Sequence, residues 1–143
     1  LLGLFAALAL SGCPTVTVRP AKIDAAPVLH VCIENGEAMC FDGQMLGIIR
    51  DGFERHGITS EAYTGKRPGE CPCYLTYMCE RTWDLATYMH HAELRLYRDN
   101  AQIGYAEYHL AGKGGLALTK FAGTKEKMDP VIDELLSDYP IAK

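Results

Sequence analysis

The chain has no apolar run long enough to cross a bilayer, no excess of basic residues, and no complete motif for nucleotide, nucleophilic or metal-assisted chemistry. Each gap excludes something. The uncharged apolar stretch from Leu1 to Leu10 is about half the length of a transmembrane helix. A net charge of -4 over 143 residues supplies no electrostatic footprint for nucleic acid. There is no G-x-S-x-G and no H-E-x-x-H, and Gly112-Lys113-Gly114-Gly115 lacks the upstream glycine and the hydroxyl residue of a phosphate loop. Glu93 and Glu107 are expected on opposite sheet faces, where they could not flank a glycosidic bond. No internal repeat is found, and tryptophan occurs once, at position 83.

What is present begins with the front end. Leu1 to Leu10 followed by small residues reads as the apolar core of a secretory signal, one expected to start before Leu1. Leu10-Ser11-Gly12-Cys13 resembles a bacterial lipobox, in which the cysteine is acylated and becomes the first mature residue. Residues 1–12 are therefore expected to be a signal peptide and Cys13 the lipid-attachment site. More than one acyl chain, at about 0.8 kcal/mol per buried methylene, gives stable anchoring. Pro14 rather than Asp after that cysteine favours the outer membrane over the inner one.

With 48% hydrophobic and 22% charged residues, the remainder has the composition of one globular domain. Three prolines in PTVTVRPAKIDAAP make residues 13–27 a lipidated cysteine and flexible tether, ahead of a domain spanning 28–143. Leu29, Val31 and Ile33 alternate as a strand ending at the turn signal Asn35-Gly36. Met45, Ile48, Ile49 and Phe53 recur at helical spacing, with Asp42 as N-cap and Gly57 as stop. Short strand character over 58–64 is followed by longer runs at 73–83, 87–98 and 101–110, the last two joined at Asp99-Asn100. Met128, Val131, Ile132, Leu135, Leu136 and Tyr139 form an amphipathic stripe, with Pro130 expected in its first turn. The expected fold is α+β, a two-layer sandwich with an antiparallel-rich sheet of four to five strands and two helices on one face.

Several blocks carry a family resemblance: Val31-Cys32-Ile33-Glu34-Asn35, CPCYLTYMCERTWDLATYM, LYRDNAQIGYAEYHL and GGLALTKFAGTKEKMDPVIDELL. Together they resemble a family of small proteobacterial envelope lipoproteins of unknown function. The resemblance implies a lipobox, an envelope location and a compact α+β fold. It implies no activity and no catalytic residue. The family pattern has cysteines at the positions of Cys32 and Cys71, whereas Cys40, Cys73 and Cys79 depart from it.

An envelope location puts the thiols in an oxidising compartment, where pairing is the default. With Cys13 lipidated, the other cysteines form an odd set, so at least one stays unpaired. Cys73 and Cys79 would lie about 20 Å apart along one strand, beyond bridging distance. If the first strand runs antiparallel beside the strand that starts at Cys73, Cys32 meets Cys71, and that pair is the expected disulfide. Cys79, in mid-strand, is expected to be a buried free thiol.

Two metal readings compete with this. Cys71-Pro72-Cys73 with Met78, Cys79 and His90-His91 looks like a soft-ligand set, but its spacing matches no zinc knuckle. A two-residue hairpin turn at 99 and 100 would also set His90 opposite His109, two imidazoles without an identifiable third ligand. The tyrosines at 74, 77, 88, 97, 105 and 108 are explained by strand packing, although an exposed subset with Trp83 could form a recognition face. The reading is a non-enzymatic, lipid-anchored envelope protein facing the periplasm from the outer membrane. It would bind an envelope protein or cell-wall material, with no cofactor and no metal expected. The alternative is a periplasmic metal-handling protein using His90, His109 and the thiols.

Overall fold

The computed structural model describes residues 13–23, 26–35 and 43–143. Its elements are β1 Pro14–Arg19, β2 His30–Glu34, α1 Gln44–Arg55, β3 Thr59–Tyr63, β4 Cys73–Asp84, β5 Ala86–Arg98, β6 Ala101–Leu110 and α2 Thr124–Leu135. Two 3-10 turns, Ala111–Gly114 and Leu118–Phe121, lie between β6 and α2. The strands form one sheet in the order β1-β6-β5-β4-β2-β3. The fold is thus mixed α and β with six strands, more than the four to five expected.

The additional strand is β1, in the segment read as a tether. Thr15, Val16, Thr17 and Val18 alternate β-branched side chains, and Val18 packs against the core. Pro14 stands first on an edge strand, where a missing N–H costs little. Prolines on either side of TVTV hide a short strand behind a linker-like composition. Beyond β1, Ala21 is fully buried and donates its N–H to the Leu135 carbonyl at 2.9 Å. The folded body therefore begins directly after Cys13.

The strands are antiparallel from β1 through β4, but β2 runs parallel to both β3 and β4. The β2-α1-β3 crossover accounts for the first parallel pair. The seam from β2 to β4 is short, pairing only Cys32 with Tyr74 and Ile33 with Leu75. One core runs through the domain, with Leu75, Ala92, Leu94, Leu96 and Ala106 from the sheet meeting Ile49 and Phe53 of α1 and Met128, Ile132 and Leu135 of α2.

Close helix contact depends on Gly52: a Cβ there would stand 2.5 Å from Ile132 Cγ2. Gly57, at φ 72°, ends α1 as expected and donates to the Glu54 carbonyl at 2.9 Å. Helix α2 starts earlier than its apolar stripe indicates, so Pro130 falls inside the helix, not in its first turn. The bond to the Glu126 carbonyl is lost there. Asp42, Cys40 and residues 1–12, all given roles from sequence, lie outside the described residues, as does Gly36 of the expected turn.

Candidate functional site

Strand register brings the chemically notable residues to two places. Pro14 pairs with Leu110, so the exposed Cys13 stands at the end of the sheet where β6 passes into the 3-10 turns. The β4–β5 hairpin overshoots at the same end: β6 pairing stops at His91, and residues 86 to 90 continue past it, by roughly 16 Å at the usual strand rise. The 3-10 segment packs beneath that overhang.

Two buried lysines hold the overhang to the segment. Lys120 donates from Nζ to the Asp84 carboxylate and to the Gly115 carbonyl at 2.7 Å, and lies over the rings of Tyr88 and Phe121. Lys127 donates to the Met89 carbonyl at 2.8 Å and to the Lys120 carbonyl. Burial, with Arg81 nearby, lowers the Lys127 ammonium pKa to about 8. Tyr88 adds a hydrogen bond from its hydroxyl to the Lys113 carbonyl at 2.7 Å.

A rigid support thus presents four large apolar side chains to solvent. Trp83 is 72% exposed and Leu116 96%, with Leu85 and Leu118 between those values. Leu85 also takes a left-handed φ of 62° at the hairpin tip, an unfavourable conformation for a branched residue. Of the aromatic residues considered from sequence, Trp83 is exposed, Tyr74, Tyr77, Tyr97 and Tyr105 are half-buried, and Tyr88 and Tyr108 are buried. An apolar groove of about 360 Å³ opens at this end too, between β1 and α2, lined by Pro14, Val16, Leu110, Pro130 and Val131.

Cys32 and Cys71 form the expected disulfide, with Cα atoms 6.1 Å apart. The premise behind that expectation was wrong in direction: β2 runs parallel to β4, and Cys71 reaches Cys32 because it lies just ahead of the β4 start. Cys79 is disulfide-bonded and is not the free thiol expected. Strand spacing rules out a bridge along β4 but not one to another segment. The buried free thiol is Cys73. His30, Cys32, Glu61 and Cys71 converge closely enough for a metal, but closing the disulfide leaves both sulfurs without a thiolate.

The second place is the β5–β6 surface facing away from the core. Tyr97 pairs with Gln102 as a two-residue turn requires, but Leu96 pairs with Gly104, so Ile103 is an extra residue on β6. Beyond it the register is shifted by one. His109 consequently faces His91, with ring centroids 5.0 Å apart, and not His90. His90 is itself the extra residue of a second bulge, against β4, and burial lowers its pKa. The same shift overturns the expected separation of Glu93 and Glu107, which are directly paired.

The side chains on this surface interlock. His91 Nε2 is 3.0 Å from Glu107 Oε1 and 3.6 Å from Glu93 Oε1, while Nδ1 is 3.6 Å from Glu80 Oε2. Arg95 donates to Glu93 Oε2, at 2.5 Å from Nη2, and Tyr105 donates from its hydroxyl to Glu107 Oε2 at 3.0 Å. Hydrogen bonding to Glu93 is the leading cause that raises the Arg95 pKa. Sequence patterns alone reach this set only when the bulge at Ile103 is known.

No family model matches the chain, and no curated protein matches it. Among solved structures it is similar to a dodecameric PelC variant from Paraburkholderia phytofirmans, with 13% identity and a TM-score of 0.56 over 92% of this chain and 100% of that one. At that identity the likeness shows a shared fold.

Proposed function

We propose that the chain is a lipid-anchored cell-envelope module, attached through Cys13 to the outer membrane, facing the periplasm and acting by binding and assembly rather than catalysis. The observation that carries this reading is the position of Cys13: exposed, one residue ahead of β1, and at the end of the sheet that presents Trp83, Leu85, Leu116 and Leu118. With β1 paired to β6 there is no tether, so acylation at Cys13 would hold the domain close to the bilayer with its apolar hairpin leading. Tryptophan beside leucines suits the headgroup boundary, where an amphipathic ring keeps its N–H wet and buries its body. A domain with both helices on one side of the sheet would leave the other side free for partners. The likeness to a subunit of a dodecamer supports partners that include further copies of this chain.

Labelled palmitate should enter the chain when it is expressed with its export signal in a bacterial host, and Cys13→Ser should abolish labelling. Absence of label in the unsubstituted chain would overturn the anchor. Flotation with vesicles separates the surface from the anchor: unacylated Cys13→Ser chain should bind anionic vesicles weakly, and Trp83→Ala with Leu85→Ser should remove that binding. Native mass spectrometry of the acylated chain in detergent tests assembly; a strictly monomeric species would count against it.

A further inference from the structure

We infer that His91, Glu93 and Glu107 form a divalent-cation site, best suited to Zn²⁺, on the face of the sheet turned away from the core. One imidazole nitrogen and two carboxylate oxygens converge, with Nε2 3.0 Å and 3.6 Å from the two Oε1 atoms. Donors placed about 2.0–2.2 Å from one zinc ion stand about this far from each other, so a small inward adjustment suffices.

The surroundings orient each donor. Arg95 occupies Oε2 of Glu93 and Tyr105 occupies Oε2 of Glu107, which leaves both Oε1 atoms turned to the same imidazole. Glu80 Oε2 stands 3.6 Å from Nδ1, within reach of the carboxylate–imidazole hydrogen bond that fixes a metal ligand's tautomer once the site closes. Two carboxylates directly opposed on antiparallel strands repel each other. A bound cation removes that repulsion.

The coordination sphere remains open. His109, whose ring lies 5.0 Å from that of His91 between centroids, is near enough to supply a fourth donor after a rotamer change. Mixed nitrogen and oxygen donors favour zinc over calcium or magnesium. These residues differ from the set expected from sequence: His90 is displaced by its bulge, and the thiols of Cys32 and Cys71 are closed in a disulfide.

Titration calorimetry with Zn²⁺ on the untagged full chain carrying Cys13→Ser, at pH 7.5, should give one ion per chain. His91→Ala and Glu107→Gln should each weaken binding by at least about tenfold, and Tyr105→Phe by roughly tenfold through the carboxylate it orients. His30→Ala should change nothing. Affinity should fall as the pH is lowered, because protons then compete with the metal for the donor atoms. Circular dichroism checks that each variant is folded, and Glu107→Gln keeps the imidazole in place should His91→Ala fail to fold. No zinc binding above buffer, equal binding by Glu107→Gln, or a Co²⁺ spectrum with a thiolate charge-transfer band would overturn the site.

Discussion

Replacing Cys32 and Cys71 together by alanine is expected to cost about 4 kcal/mol. The bridge spans a sequence separation of 39 residues, and closing a loop of that length removes about that much chain entropy from the unfolded state. The fold raises the consequence further. The β2-α1-β3 unit joins the β4 meander across two residue pairs, and the disulfide spans the same seam. For a domain of ordinary stability, about 5–15 kcal/mol, the loss is a large fraction. Urea unfolding followed by fluorescence measures it, and the double variant is the right perturbation because reductant would also open the bridge of Cys79. Hydrogen exchange should show β2 and β3 opening before β5 and β6. A destabilisation below about 1 kcal/mol, or uniform exchange across the sheet, would refute the assignment of this seam to the disulfide.

Gly52→Ala should destabilise by about 1–3 kcal/mol despite alanine's better helix propensity, because the added methyl meets Ile132; combining it with Ile132→Ala should recover part of the loss in thermal melts. Lys127 has its pKa lowered to about 8, against an ordinary value of 10.5, so between those values the unfolded chain binds the proton and the folded chain does not. Stability should therefore rise with pH across that window. Relative to Lys127→Met, the unsubstituted chain should gain about 2 kcal/mol between pH 7.5 and 9.5 in denaturant titrations, and a flat difference would disprove the shift. Lys120→Met should cost about 1–3 kcal/mol and expose the hairpin tip and residues 115–118 to limited proteolysis, since Asp84 and the Gly115 carbonyl both lose their donor.

The long strands and the α2 stripe were legible in the sequence because most of each follows a single period, interrupted in β5 and β6 by only one extra residue apiece. The Cys32–Cys71 pair was reached through an antiparallel arrangement that the fold does not have, since both arrangements place Cys71 near Cys32. Strand β1 was hidden by its flanking prolines. The His91, Glu93 and Glu107 surface was inverted by a single extra residue, Ile103, because a one-residue shift exchanges the faces of a strand. No composition or spacing signals such a bulge. Lys120 and Lys127 were missed because buried lysine is rare; their partners are backbone carbonyls and one carboxylate that only the folded chain assembles.

The pairing of β1 with β6 has a mechanical consequence. A force applied at residue 13 along the strand axis loads every hydrogen bond of that ladder at once, in shear, from Pro14 to Arg19. Bonds strained together resist rupture far better than bonds unzipped in sequence. If an envelope pulls on this protein through its first residue, the edge strand distributes the strain across the sheet and keeps the domain folded under tension.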